Sequence, residues 1–347
     1  MMSALFIAWA LHGGLAIAQG TQGEAMPAQS ASPLVQAVAK GDIAAVKAAL
    51  AAGSDVNTAD AAGTTPLILA ARHGYVQILN LLLDTGARAD AQNRSSETAL
   101  YAAAAAGHGP IVRILISRKA SVPTQPTAAL SPVVAAAEGC FDPTIGALLA
   151  AGVPADQRDH AGESALLTAA RKCPASTAAL LLESGADASI SDPQGRTPLW
   201  YAADRGAADV VALLAAKGSA IDAADREGET PLHRGLLKGG APAADALRKL
   251  GANTALTSKG GSTALMFAAR GGNVALIEGL VKDGADLNAR NAAGYSALMF
   301  AAAAGHSEAA EALLRAGASR RLHNKKRETA EDIAIAAGHQ DLAGKLH

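Results

Sequence analysis

A hydroxyl residue recurs in this chain every 33 residues: Ser32, Thr65, Thr98, Ser131, Ser164, Thr197, Thr230, Thr263, Ser296 and Thr329. No insertion or deletion interrupts the series. The next residue is always Pro or Ala, and the fifth is Ala everywhere except at Gly235. A fixed period of this length means an array of one supersecondary unit. Such a unit cannot bury its apolar face alone and must stack on its neighbours.

Each position in the unit has a physical reading. The hydroxyl is a helix N-cap, whose oxygen takes an orphan backbone N–H. Proline suits the first helical position, where its missing N–H is not needed. Small residues at the fifth and sixth positions let a neighbouring helix come close. Glycine at the ninth position, as in Gly74 or Gly206, takes a positive φ and ends the first helix. An apolar run such as Leu81-Leu82-Leu83 makes a second helix, and another glycine near the twenty-first position closes it: Gly53, Gly86, Gly152, Gly185, Gly218, Gly251, Gly284 and Gly317. An Asp-x-x-Gly turn follows, as at Asp60–Gly63, Asp192–Gly195 and Asp225–Gly228. The unit is therefore helix, tight turn, helix, projecting turn.

The stretches "GTTPLILAARHGYVQILNLLLDTGA" (63–87), "GRTPLWYAADRGAADVVALLAAKGS" (195–219), "GETPLHRGLLKGG" (228–240) and "GGSTALMFAARGGNVALIEGLVKDGADLNARNAAG" (260–294) closely resemble the ankyrin-repeat family. The resemblance covers residues 32–347. It implies an all-α solenoid of about ten 33-residue helix-turn-helix units with projecting β-turn or hairpin loops, the first and last acting as caps. Composition agrees: half of the residues are hydrophobic but only 3% aromatic, so the core must be thin layers of Ala, Leu, Val and Ile.

The resemblance also implies a function class. Similar proteins dock a protein partner on the concave side, made by the turn tips and the exposed face of each first helix. Mapped onto the repeat, those positions give Glu163, Arg171, Lys172, Arg196, Asp204, Arg205, Arg226, Glu227, Lys238 and Arg270 as the candidate partner-binding set. Basic residues crowd repeats 5 to 8, with acids interleaved. Arginine suits interfaces, having planar multivalent donors and a stem that packs.

A net charge of −1 gives no footprint for nucleic acid. No HExxH, CxxC, GxSxG or P-loop pattern occurs, and the nine histidines are scattered. No enzyme and no cofactor or metal is expected. His233 in "TPLH" reads as a backbone-tying residue. Trp200 stands beside Tyr201, whose slot is shared by Phe267 and Phe300 and faces the core. Arg234 fills that slot in repeat 7 beside Gly235, and a local distortion is expected there.

Residues 1–18, "MMSALFIAWALHGGLAIA", read as a signal peptide. Ala16 and Ala18 give the small-x-small cleavage pattern, and the apolar run is too short for a stable span, although no Lys or Arg precedes it. Residues 19–31 read as a flexible linker. The expected product is a monomeric periplasmic protein that supports or inhibits an envelope protein. A secreted effector or a passive scaffold are the alternatives.

Eight of the ten ninth-position slots hold Gly; the other two hold Cys140 and Cys173, in adjacent repeats. Positive φ is expected at both. Two readings are open, a disulfide linking repeats 4 and 5 or two small buried thiols, and the export reading favours the bridge. Stacked helices lie ~8–10 Å apart, too far for a bridge. Pro143 and Pro174, however, make both turns atypical. Repeats 3 and 4 depart further: Lys119 replaces a glycine, and 120–130, "ASVPTQPTAAL", lacks the Asp-x-x-Gly turn, so the array is expected to bend or loosen there.

Overall fold

The computed structural model describes residues 32–125, 130–237 and 240–347. The signal and linker readings fall outside those residues. Ten pairs of short helices follow one another, and among the described residues there is no strand, only the isolated bridges Arg158–Ser164 and Thr257–Thr263.

The hydroxyl series starts the first helix of each repeat. Thr65 Oγ1 accepts from the Ile68 amide at 3.4 Å, Thr98 from Tyr101 at 3.1 Å and Thr197 from Trp200 at 3.2 Å. Ser32 alone opens its helix without such a bond. Behind the caps the packing is layered. Leu67, Leu100, Leu166 and Leu199 are buried at the second position, and Ala70-Ala71, Ala103-Ala104, Ala169-Ala170 and Ala202-Ala203 let successive first helices touch. Ile78, Leu79 and Leu82 from the second helix of repeat 2 close the layer, as their counterparts do elsewhere. A buried Leu or Ile contributes roughly 1.5–3 kcal/mol, so each layer is held mainly by its two neighbours.

The ninth-position glycine has two reasons to be there. Gly74 has φ 79°, and a Cβ on it would sit 2.7 Å from the His108 ring of the next repeat. That ring ties the layers through a 3.2 Å contact from His108 Nε2 to the Arg72 carbonyl.

The projecting turns form a second line of contact. Asp60 Oδ1 accepts from the Ala62 and Thr64 amides at 2.9 and 2.8 Å, which shapes the finger. Adjacent fingers are stitched by single backbone bonds: Arg94 N to Ala62 O, Arg226 N to Gln194 O, Lys259 N to Glu227 O, Ala292 N to Gly260 O and Lys325 N to Ala293 O, at 2.8–3.0 Å. Pro193 holds the same place in the finger of repeat 6 and has no N–H to give.

In the structure Cys140 and Cys173 are joined by a disulfide, with Cα atoms 5.5 Å apart. The expected positive φ occurs at Cys140 (55°) and not at Cys173, which is extended at φ −91°, ψ 162°. The following proline explains the difference, because Pro174 bars its predecessor from helical geometry and pushes it to extended backbone. The chain thus leaves this helix by a different path, and the bridge joins two unlike turns.

Two further departures resolve physically. Lys119 takes the left-handed conformation, φ 62°, without being glycine. On either side of residues 126–129 the described chain is tied by one side chain: the fully buried Gln157 donates through Nε2 to the Pro123 and Gln125 carbonyls at 3.0 and 2.9 Å and accepts from Ser131 Oγ at 2.8 Å. At Arg234, where a distortion is expected, the described residues Pro231–Leu237 form one continuous helix. Gly235 instead gives space: a Cβ there would lie 3.2 Å from the Ala244 amide nitrogen of the second helix.

Candidate protein-docking surface

The candidate residues sort into two groups, those already paired and those left uncommitted. Arg171 donates from Nη2 to both carboxylate oxygens of Glu163 at 2.9 Å. Lys172 pairs with Glu138 of the preceding repeat. Arg196 lies 2.9 Å from Asp192, whose carboxylate is only 2% exposed. Asp204 receives two bonds from Arg234, at 3.1 Å from Nε and 2.6 Å from Nη2. Arg205 donates to the Cys173 carbonyl at 2.5 Å, so the cation and the disulfide share a turn. Arg226, Glu227 and Arg270 are exposed, and their side chains have no polar partner among the described residues. Lys238 lies outside the described residues.

The paired group surrounds two buried aromatic rings. Trp200 is 5% exposed and Tyr201 8%. The rings meet edge to face at 5.1 Å. The Arg171 guanidinium lies over Tyr201 at 4.6 Å, and Arg234 covers Trp200 at 4.6 Å with Arg196 at 5.4 Å. Such contacts add ~0.5–2 kcal/mol when desolvated, and they hold flexible arginines in one place. Arg234 also reaches Glu229 at 3.0 Å, so one guanidinium joins two carboxylates and an indole from two repeats.

The electrostatics follow from burial. The Tyr201 phenol is pushed up to about 12, by burial first and then by donating to Asp192 Oδ2 at 2.7 Å; the Arg171 charge opposes the rise. Burial works against the charges of Arg171 and Arg234, but Glu163 in one case and Asp204 and Glu229 in the other outweigh it and hold both firmly protonated. For Arg205 burial wins and lowers it, with the Asp209 charge opposing only in part.

Beside this cluster a groove of about 380 Å³ opens between the fingers of repeats 6 and 7, lined in part by Gln194, Arg196, Trp200, Arg226 and Arg234. A smaller hollow of about 90 Å³ adjoins it, with Glu229, Phe267, Arg270 and Phe300 in its wall. Phe267 is buried and stacks on His233 at 4.5 Å. His233 itself accepts the Thr230 amide through Nδ1 at 3.1 Å, so its Nε2 donates to the Leu256 carbonyl at 3.1 Å. Both ring nitrogens are occupied by backbone, so the ring ties the start of its helix to the loop at Leu256.

Position mapping along single repeats placed Arg171 with its partner Glu163, and Arg196 and Asp204 without theirs. The candidate set lacked Asp192, and it lacked Glu229 and Arg234, although the repeat pattern marks Arg234 as a departure. The signal lay in the register: residues 33 apart stand side by side, so Arg234 had to neighbour Tyr201 in the next layer.

A stacked array of helix pairs with fingers on one side defines an α-helical repeat protein. The chain belongs to the ankyrin-repeat family: the family described as "Ankyrin repeats (3 copies)" matches residues 34–126, 132–225, 174–258, 217–291, 237–328 and 265–346. Ankyrin repeats generally serve as protein–protein interaction modules, and the family consists typically of non-enzymatic binding scaffolds. No curated protein matches the chain. Among the described residues no helix is long and apolar enough to cross a membrane, and no three His, Cys, Asp or Glu side chains are grouped to hold a metal ion.

Proposed function

We propose that this chain is an exported protein-interaction module that docks a partner protein, an envelope protein in the simplest reading, on the concave face of repeats 5 to 8. In this reading residues 1–18 are removed, 19–31 link, and 32–347 bind as a monomer. The observation that carries it is the set of arginines held in place over the buried Trp200 and Tyr201 rings, bordered by a groove and by exposed, unpaired Arg226, Lys259 and Arg270. Preorganised aromatic and arginine groups are what protein interfaces use as anchors, because little side-chain entropy is lost on binding. The export part rests on the N-terminal pattern and on a disulfide, which persists in oxidising compartments.

Arg226, Lys259 and Arg270 are the residues for the test. Arg196 is unsuited, because a reversal there sets a carboxylate against buried Asp192. A partner retained by the wild-type chain from an envelope fraction is expected to be lost by the triple reversal to Glu, with helical circular dichroism and melting unchanged. Undiminished retention rules out this face. Export is tested separately by amino-terminal sequencing of the fractionated protein, where an intact Met1 on cytoplasmic material excludes it.

A further inference from the structure

Two buried donors at the concave centre have no acceptor. The Trp200 indole Nε1 is sealed from solvent without a hydrogen bond, and Arg196 Nε, although 2.9 Å from Asp192 Oδ2, is not aligned to bond it. Both side chains line the same groove, and so does Arg226, whose guanidinium is uncommitted among the described residues. Buried polar groups without partners are uncommon, and each is expected to have a reason.

Whole charges do not decide what the groove takes, because they nearly cancel. Arg196, Arg226 and Arg234 in its wall face Asp225, Glu227 and Glu229. Hydrogen-bonding capacity does decide it. Glu229 is held by Arg234, and Asp225 Oδ1 already accepts the Glu227 and Glu229 amides at 2.9 Å. Arg226 retains its whole donor fork, and the indole and Arg196 Nε add two more donors. The Arg226 fork is open to the groove, whereas the indole Nε1 and Arg196 Nε are sealed and become available only when the covering guanidiniums move. A carboxylate is the acceptor that matches a guanidinium fork. Exposed Glu227 on the rim repels a run of acids, which restricts the fit to a single acidic residue with uncharged neighbours.

We propose that the groove between the fingers of repeats 6 and 7 receives one Asp or Glu side chain from the partner polypeptide, held by Arg226 at the N–H edge of the Trp200 indole. This rests on the concave-docking reading above and deepens it by naming the chemistry of the contact. Because Arg196 and Arg234 cover the indole, the incoming carboxylate must part the guanidiniums as it seats. The environment of Trp200 changes with it.

The chain holds two tryptophans, Trp9 and Trp200. In the full chain carrying W9F, indole emission reports this groove alone. Titration with the capped peptide Ac-Gly-Gly-Glu-Gly-Gly-NH₂ is expected to give a saturable emission change. The Gln peptide should bind at least tenfold more weakly, R226Q should weaken the Glu peptide by a similar factor, and inorganic phosphate should give no saturable change. No saturable change with the Glu peptide, equal binding of the Gln peptide, indifference to R226Q, or an equal response to phosphate would each overturn the proposal. Failure here with partner retention still sensitive to the triple reversal removes the carboxylate groove alone. Failure of the reversal test removes the docking face itself.

Discussion

Arg234 stands in the slot that holds Tyr201 one repeat earlier and Phe267 one repeat later. A charge is tolerated there because Gly235 draws the second helix in, while Asp204, Glu229 and Trp200 surround the guanidinium, which is left 19% exposed. Removing it strands two partly buried carboxylates against an indole. R234M is therefore expected to destabilise the protein by about 2 kcal/mol, less than the ~3–5 kcal/mol for a fully buried pair because all three groups keep some water. The urea midpoint measures it, with R226Q as the neutral surface control. His233 supports a pH prediction. Burial lowers its pKa below the usual 6.5, so the folded chain keeps the ring neutral while the unfolded chain takes up a proton. Its contribution is complete above about pH 6.5 and is lost as pH falls through the lower folded value. The melting temperature should drop between pH 7.5 and 5.5, and less steeply in H233Q. A slope identical in the two proteins would mean that His233 is not a source of the acid sensitivity. At this scale the sequence revealed which residues point outward, Arg226 and Arg270 among them. It did not reveal which are neutralised: the Arg196–Asp192 pair depends on how one turn folds back on itself, and the Arg234–Asp204 pair on the distance between two layers, neither of which a periodic pattern contains.

Helices and turns were far more legible. Caps, prolines and closing glycines each answer to a local rule, and the structure follows them repeat after repeat. One exception is instructive: the period predicted a left-handed residue at Cys173, and the single following residue, Pro174, overrides the period. The two bridged cysteines consequently differ in what replaces them best. Breaking the bridge in C140A/C173A should cost about 3–4 kcal/mol by the chain-entropy estimate for a loop of this size. Exchanging Ala for Gly at 140 should return roughly 1 kcal/mol, since residue 140 is left-handed at φ 55°. The same exchange at 173, where the backbone is extended, should return nothing. Thermal melts of C140A/C173A, C140G/C173A and C140A/C173G decide this, and equal gains at the two positions would refute the unlike-turn geometry. Thiol titration of the unfolded, unreduced protein checks the bridge itself, with two free thiols per chain excluding it.

Across the whole molecule stability is a sum over neighbours, so a weak interface divides the array. From Gln194 to Lys325 each finger is stitched to the next, whereas between repeats 3 and 5 the continuity rests on other devices. Gln157 there ties Pro123, Gln125 and Ser131 into one layer, and the disulfide joins the turns of repeats 4 and 5. The irregular sequence "ASVPTQPTAAL" announced a departure from the pattern, but a buried glutamine arriving from the following repeat carries no local signature, so its role was not legible. Q157A removes three hydrogen bonds at once and leaves a buried space; unsatisfied groups of this kind cost ~1–3 kcal/mol each, less where water reaches them. The expected result is a loss of about 2 kcal/mol confined to the junction, which uncouples repeats 1–3 from the stitched C-terminal block. Hydrogen exchange followed by mass spectrometry should then show amides of repeats 1–3 opening at a lower free energy than those of repeats 6–10, and reduction of the disulfide should widen the gap by freeing repeat 4 from repeat 5. If Q157A lowers protection equally from Ser32 to the C-terminus, the array unfolds as one unit and the junction is no weaker than any other interface.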